Sequence, residues 1–176
     1  MFAAHQALKP MEGPPVRIHL QKNAKPHSVS AARNIPVAWK DTVKKEIDDM
    51  VLRGIIEPVG DVPSDWCSPL VIVPKQNGQP RVCVDYTMLN KQVHRPLYPL
   101  RTPKDAVSSI PAEARIFTTL DAANGYWQLP LDEDSQMLTT FITPWGRFKF
   151  LRTPMGLNST GDSYCRRGDI ALDGID

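Results

Sequence analysis

The sequence has few of the residues that build metal sites or disulfide frameworks. It holds three cysteines in 176 residues, and no two of them are spaced as C-x-x-C. An odd and scattered set of cysteines argues against a disulfide framework and against a zinc site, and it favours free thiols in a reducing compartment. The four histidines also lack ligand spacing, which argues against a histidine-based metal centre.

Long apolar runs are missing as well. No window approaches the roughly 18 apolar residues that a membrane-spanning helix requires, and the N-terminal stretch MFAAHQALKPMEGPPV has no apolar core of signal-peptide length. The net charge is only +2, which is too small to indicate nucleic-acid binding by itself. We therefore expect an intracellular, cytoplasmic protein with no membrane partner.

Proline, in contrast, is abundant. The 17 prolines are roughly twice the usual share of about 5%, so we expect short elements joined by extended segments. The chain length suits one globular unit with a core of useful size. Residues 1–35 are dotted with proline and show no sustained periodicity, which predicts an extended lead-in with at most a short strand at 16–20.

Two strong local patterns follow the lead-in. Apolar residues at three-to-four spacing predict an amphipathic helix over 36–54, with proline at its start and glycine at its end. Two β-branched runs, at 70–73 and 81–86, flank the stretch KQNGQP, whose Asn-Gly pair is a strong reversal signal. This pattern predicts a hairpin with Lys75 and Arg81 near its tip.

The second half predicts four further elements. A short helix is expected at 103–110, a strand at 115–121, a hairpin that turns at 144–146, and a helix at 159–172. The acidic stretch DEDS at 132–135 is interpreted as a solvated turn. This order of helices and hairpins predicts a mixed α+β fold.

The stretch FTTLDAANGYWQLPLDED contains a candidate metal-binding carboxylate. Asp121 closes the expected strand, and two aromatic residues, Tyr126 and Trp127, follow closely. A carboxylate at a strand end, beside a backbone carbonyl, suits a hard divalent cation. A lone aspartate in such a position is more often a turn or cap residue, and Trp127 is interpreted as a packing residue.

A basic stretch leaves a similar choice open. Six lysines and arginines and only one acid, Asp85, lie between Lys75 and Lys104. Such a stretch is most often a solvated surface, although it would also suit a surface that faces phosphates.

Two long strings resolve these choices by resemblance to a known family. Two long stretches, in this order, resemble the reverse transcriptase of gypsy-like LTR retrotransposons. They are VKKEIDDMVLRGIIEPVGDVPSDWCSPLVIVPKQNGQPRVCVDYTMLNKQV and FTTLDAANGYWQLPLDEDSQMLTTFITPWGRFKFLRTPMGL. The resemblance implies a fingers subdomain at 36–110 and an incomplete palm subdomain at 111–176, after the lead-in at 1–35. It also implies a mixed, largely antiparallel sheet with packed helices.

The resemblance assigns the catalytic and metal-binding positions. Asp121 matches the first catalytic aspartate, which binds two Mg²⁺ ions in the complete family site, and the carbonyl of Ala122 would be the backbone ligand beside it. Lys75 and Arg81 match the pair that binds the triphosphate of the incoming nucleotide. Tyr126 matches the bulky residue that excludes a 2′-hydroxyl group and so selects deoxynucleotides.

The remaining assignments lie beside the nucleotide and the template. Met155 and Gly156 match the segment next to the nucleotide, and Asp85 and Asn90 match positions that shape the fingers on the template side. The implied partners are an RNA or DNA template with its primer, deoxynucleoside triphosphates, and further polyprotein domains, namely ribonuclease H, integrase and protease.

The sequence lacks the second metal-binding motif of the family, Tyr or Val, any residue, then Asp-Asp. Its only Asp-Asp pair is Asp48-Asp49, within the first expected helix. We therefore expect a fragment of an RNA-directed DNA polymerase that is inactive alone. A degenerate, non-catalytic remnant that binds nucleic acid or a protein is the alternative, and an acid–base hydrolase using Asp121 and Asp132 is disfavoured because it lacks a pair of defined geometry.

Overall fold

A five-stranded sheet with helices packed around it forms the body of the protein. The computed structural model describes residues 8–76, 78–99, 102–119 and 121–174. The helices are α1 Val37–Leu52, α2 Thr87–Asn90, α3 Pro103–Ser108, α4 Glu133–Leu138 and α5 Thr160–Leu172, and the strands are β1 Ile56–Pro58, β2 Ser68–Pro74, β3 Pro80–Val84, β4 Phe141–Thr143 and β5 Gly146–Phe150. A 3-10 turn spans Gly125–Gln128.

The strand order is β1-β5-β4-β2-β3, so the hairpin of β4 and β5 lies between strands from the first half of the chain. Neighbouring strands are antiparallel except β2 and β4, which run parallel with Ser68 opposite Phe141. A parallel pair needs a long connection, and most of the helices lie in that connection. This sheet confirms the expected α+β class, mixed and largely antiparallel.

Helix α1 buries one apolar stripe, which explains why it forms where the sequence predicts a helix. Val43, Ile47 and Met50 are buried and share one face, which packs toward β1 and β3. Burying a side chain of this size contributes about 1.5–3 kcal/mol. Gly54 follows the helix with a φ of +64°, a left-handed conformation that glycine adopts readily at helix ends.

Both expected hairpins are present. In the first, Val73 pairs with Arg81, and Gly78 has a φ of +76° in the turn; Asn77 lies outside the described residues. In the second, Thr143 pairs with Gly146 across the turn, and the Thr143 hydroxyl donates to the Gly146 carbonyl at 2.9 Å. The helices expected at 103–110 and 159–172 are also confirmed, as α3 and α5.

The strand expected at 115–121 is wrong for its described residues. Residues 115–119 form no strand, and Ile116 and Phe117 are 90% and 68% exposed. A strand requires a neighbour that accepts its ladder of hydrogen bonds. No strand in the described part of the chain pairs with this segment, so β-propensity alone does not make it a strand.

The acidic stretch at 132–135 is not a simple turn. Asp132 caps helix α4, since its side chain accepts a hydrogen bond from the Ser135 N–H at 3.1 Å. Glu133 and Asp134 occupy the first turn of that helix, where carboxylates interact favourably with the helix dipole. The expected solvated turn is therefore wrong. The charges alone do not indicate the cap, which depends on the spacing between Asp132 and Ser135.

The lead-in lies across the second half of the chain. Val16 and Ile18 belong to the buried core, and the Val16 N–H donates to the Pro130 carbonyl at 2.7 Å. In place of a strand at 16–20, single bridges join Val16 to Leu131 and Leu20 to Val93. The described residues of the lead-in, 8–35, therefore contribute to the core and form none of the named helices or strands.

Tyr86 helps to join the two halves within that core. Its side chain is fully buried, and its hydroxyl donates to the Thr139 carbonyl at 2.9 Å. Burial raises the pKa of the Tyr86 phenol well above its usual value, because the phenolate would lose its hydration. The boundary at residue 110 remains a prediction, although one continuous core includes residues from both sides of it.

All three cysteines are free thiols, and burial raises the pKa of the Cys67 and Cys83 thiols. Among the described residues, no helix combines the length and the apolar character needed to cross a membrane.

We expect Ile47→Ala to reduce the free energy of unfolding by about 2–5 kcal/mol, because it removes apolar atoms from a fully buried site and leaves a cavity. Urea denaturation followed by circular dichroism measures this loss. Val37→Ala, on the same helix but 90% exposed, is the matched control and should change the free energy by less than about 0.5 kcal/mol. Equal losses for the two variants would contradict the described packing of α1.

Candidate functional site

Asp121 lies on the surface, immediately before a tight turn. Its side chain is exposed, as is that of Ala122. Asn124 then adopts a left-handed φ of +52°, and the Trp127 N–H donates to the Asn124 carbonyl at 2.9 Å. The side chain of Gln128 also donates to the Ala123 carbonyl at 3.0 Å. A compact turn thus follows an aspartate that faces solvent.

The turn presents Tyr126 against helix α5. The Tyr126 ring meets the Tyr164 ring edge-on, with ring centroids 5.4 Å apart and an interplanar angle of 82°. Its backbone carbonyl accepts hydrogen bonds from the Thr153 hydroxyl and from the Leu129 N–H. Both the backbone and the ring of Tyr126 are therefore supported by neighbouring residues.

Lys75 and Arg81 lie together at the tip of the β2–β3 hairpin. Both are exposed, and they line one open cleft of about 540 Å³ with Gln76 and the end of β2. The turn is closed by the Lys75 N–H, which donates to the Gln79 carbonyl at 2.8 Å. The hairpin thus presents two cations beside one concave surface, which suits an anionic ligand.

Asn90 connects α2 to the loop that contains Gly156. Its side-chain amide donates to the Gly156 carbonyl at 2.8 Å and accepts from the Asn158 N–H at 2.9 Å. Gly156 has a φ of +89°, and a Cβ there would lie 3.5 Å from the Val84 carbonyl oxygen. The structure therefore brings together Asn90 and Gly156, which the sequence assigns to different sides of the site.

Met155 and Gly156 also line a small apolar cavity of about 120 Å³ next to Trp127. The Met155 side chain is 56% exposed. Trp127 is partly buried against the core, which confirms the expected packing function, and the Arg53 guanidinium lies 5.6 Å from the centre of its ring.

Asp85 is engaged within the protein. Its carboxylate accepts hydrogen bonds from the Thr87 hydroxyl at 2.6 Å and from the Thr87 N–H at 3.2 Å, and it pairs with Arg33 at 3.1 Å. The bonds from Thr87, and then the Arg33 charge, lower the pKa of Asp85 below its usual value. This carboxylate therefore holds the first residue of α2.

The residues present fit a divalent metal only in part. Asp121 offers a carboxylate and Ala122 a carbonyl, which are the oxygen ligands that Mg²⁺ prefers. Within the described ranges, however, no three His, Cys, Asp or Glu residues come close enough together to hold a metal ion. These residues would therefore supply only part of a ligand set.

The sequence did not predict an ion pair between a buried aspartate and an exposed arginine. Asp162, which is 2% exposed, accepts hydrogen bonds from Arg95 Nε at 2.6 Å and Nη2 at 3.2 Å, and from the Tyr98 N–H at 3.2 Å. The bond from Arg95 is the main cause that lowers the pKa of Asp162 below its usual value. The partners are 67 residues apart, so no local pattern could have revealed them.

Solved structures of reverse transcriptases share this fold. The crystal structure of a prototype foamy virus protease–reverse transcriptase matches with a TM-score of 0.81 and 23% identity, over 98% of this chain and 22% of that one. The foamy viral protease–reverse transcriptase in complex with an RNA/DNA hybrid matches with a TM-score of 0.79 and 21% identity, over the same shares of the two chains. The chain therefore has a fold found in reverse transcriptases and matches about a fifth of those chains.

Curated relatives agree with this likeness. The Pol polyprotein from transposon opus of Drosophila melanogaster is 32% identical over 89% of this chain and 16% of the polyprotein. The Pol polyprotein from transposon 412 of the same organism is 30% identical over 80% of this chain and 12% of the polyprotein. The chain spans less than a fifth of the length of either polyprotein.

The family itself is established by a match to residues 73–166, more than half of the chain. The matching family is described as reverse transcriptase (RNA-dependent DNA polymerase), and this chain belongs to it. The expected resemblance to a retrotransposon reverse transcriptase is thereby confirmed.

The pH dependence of stability should report on Asp162. Because its pKa is lowered in the folded state, the paired carboxylate stabilises the fold fully above the unfolded pKa of about 3.9, and this contribution is lost as the pH falls through the folded pKa. Asp162→Asn should therefore be less stable than the unmodified chain at pH 7, and the difference should shrink below about pH 4.

Urea denaturation at a series of pH values measures this difference. Asp61→Asn, which removes an exposed carboxylate, is the control and should leave the pH profile unchanged. A difference for Asp162→Asn that does not vary with pH would contradict the proposed contribution of the ion pair.

Proposed function

We propose that this chain forms the fingers, at 36–110, and the first part of the palm, at 111–176, of an RNA-directed DNA polymerase. The complete enzyme would add deoxynucleotides to the 3′-hydroxyl of a primer on an RNA or DNA template. The observation that supports this most strongly is that the reverse transcriptase match at 73–166 includes Asp121, which is exposed ahead of a supported aromatic turn. A buried Asp121 would have been incompatible with substrate contact.

The fingers hairpin would bind the triphosphate. Lys75 and Arg81 lie at one end of the chain's longest hairpin, beside an open cleft. Phosphoryl transfer depends mainly on positioning and on neutralising charge, which two cations at the tip of a hairpin can provide. The planar guanidinium of Arg81 suits two parallel hydrogen bonds to phosphate oxygens.

Asp121 and the Ala122 carbonyl would hold Mg²⁺ together with acidic residues that the described part of this chain does not bring to them. When bound, the metal would offset the negative charge of the transferred phosphate. The turn that follows Asp121 presents Tyr126, whose ring would exclude the 2′-hydroxyl of a ribonucleotide.

The loop of Met155 and Gly156 would pass beside the nucleotide. Asn90 holds this loop against α2 through the Gly156 carbonyl, so a movement of the fingers would also move the loop. Asp85 would act on the template side by fixing the first turn of α2. The further polyprotein partners, ribonuclease H, integrase and protease, remain proposals.

A second candidate function is a non-catalytic remnant that binds nucleic acid or a protein. In this alternative, the Asp48-Asp49 pair of α1, which interacts with Lys44 and Arg53, would serve the helix surface and not a metal site. No Tyr or Val, any residue, Asp-Asp motif exists among the 176 residues. On either view, the chain tested alone should not polymerise.

Primer extension on an RNA template with Mg²⁺ and deoxynucleotides tests this expectation. We expect no incorporation by the 176-residue chain, because one carboxylate cannot complete a two-metal centre. Within a longer polypeptide that supplies the Asp-Asp motif, Asp121→Asn should lower kcat on the order of 10³-fold or more. Asp134→Asn, which changes another exposed carboxylate, is the control.

Two outcomes would contradict the proposal. Robust synthesis by the chain alone, abolished by Asp121→Ala, would show that the missing motif is not required. A longer polypeptide that contains the motif and stays inactive would instead favour the non-catalytic remnant.

The hairpin cations can be tested in the same longer polypeptide. Lys75→Ala and Arg81→Ala should each raise KM for deoxynucleotides by about 10- to 100-fold, the loss expected for a hydrogen bond to a charged group. Steady-state kinetics with varied nucleotide concentration measure the change. Lys22→Ala, an exposed lysine of the lead-in, should leave KM unchanged, and an equal effect there would indicate a general charge effect.

A further inference from the structure

We infer that Tyr164 of helix α5 is a positioning residue for Tyr126, and that its ring thereby sets how well the site distinguishes deoxynucleotides from ribonucleotides. This inference rests on the proposed function of Tyr126. It concerns a residue that would act through Tyr126 and that is not itself proposed to contact the nucleotide.

The two rings meet in a geometry that fixes orientation. Their centroids are 5.4 Å apart and the planes are nearly perpendicular, at 82°. Edge-to-face contact of this kind is favourable because the positive edge of one ring meets the negative face of the other. Rotation of the Tyr126 side chain would lose this contact, so Tyr164 selects one position of the ring.

The Tyr164 ring also limits the side chain that can stand at Gly125, the residue before Tyr126. A Cβ on Gly125 would lie 2.8 Å from both Cζ and Oη of Tyr164, which is closer than real Cβ contacts. Gly125 has no left-handed φ, so its backbone conformation does not require glycine. The close approach of the Tyr164 ring therefore explains the absence of a side chain at this position.

Both partners are held by their own surroundings. Asp162, two residues before Tyr164, is bound by Arg95, and Arg167 donates to the Pro14 carbonyl at 2.7 Å, so α5 is attached at two further points. The Tyr126 carbonyl is held by Thr153 and Leu129. With both backbones fixed, the Tyr126 side chain is the part left to move, and Tyr164 restricts it.

Sugar discrimination is sensitive to small shifts of such a wall. A misplacement of roughly 1 Å at a reacting centre can change a rate by about 100-fold. Replacing Tyr164 with a smaller side chain should let the Tyr126 ring move away from the sugar, which would admit a 2′-hydroxyl. Tyr164→Phe keeps the ring and should keep the discrimination.

The first test uses the 176-residue chain and requires no activity. In NMR spectra of the tyrosine-labelled chain, we expect Tyr164→Leu to shift the Tyr126 ring resonances, whereas Tyr164→Phe leaves them almost unchanged. Stability measurements add a double-mutant cycle: Gly125→Ala should destabilise the chain less in a Tyr164→Leu background than in the unmodified one. Unchanged Tyr126 resonances in Tyr164→Leu, or additive stability changes, would overturn the inference.

The second test measures kcat/KM for a deoxynucleotide and for its ribonucleotide in the longer polymerase polypeptide. Tyr164→Leu should lower the ratio of these values by about 10-fold or more, mainly by improving ribonucleotide use. Tyr164→Phe should leave the ratio unchanged. If Tyr164→Leu does not fold, Tyr164→Met takes its place.

Tyr126→Val distinguishes a failure of the proposed function of Tyr126 from a failure of the inference about Tyr164. If this variant does not change the ratio, the proposed function of Tyr126 is wrong. If it lowers the ratio while Tyr164→Leu leaves it within about twofold of the unmodified enzyme, Tyr126 is the wall and the inference about Tyr164 is wrong.

Discussion

The pairing of β4 with β2 is the contact on which the rest of the structure depends. It inserts a hairpin from the second half of the chain into a sheet whose other strands come from the first half. The Ser68 N–H donates to the Thr140 carbonyl at this junction, and the buried Phe141 ring lies against Phe148 and Phe150. Because the proposed fingers and palm share one sheet and one core, the parts of the site on each are held in a fixed relation.

Helix α5 has a comparable function on the palm side. Three of its side chains hold three different segments: Asp162 binds Arg95 of the connection, Arg167 binds carbonyls of the lead-in, and Tyr164 contacts Tyr126. Asp121 lies just before this supported turn, and its side chain remains exposed. The supporting contacts are internal to the protein, while the groups proposed to contact substrate face solvent. This division suits a site that must be rigid and accessible at once.

Features that depend on residues close together in the sequence were predictable, and features that depend on distant partners were not. Helix α1 was predictable because its apolar spacing already defines the buried face. Lys75 and Arg81 were predictable as neighbours because one hairpin brings them together. The strand at 115–121 was wrong because strand formation depends on a partner elsewhere in the chain. The pairs Asn90–Gly156 and Arg95–Asp162 join residues 66 and 67 positions apart, so no local spacing signalled them.

The sequence by itself determined helices α1, α3 and α5, the two hairpin turns, the α+β class and the family to which the chain is similar, since each depends on residues close together or on ordered strings. Only the tertiary structure decided that the lead-in enters the core, that a buried Asp162 pairs with Arg95, and that Tyr164 supports Tyr126. Those contacts depend on which faces meet after the sheet has formed, and many different sequences could satisfy the same local patterns while packing those faces differently.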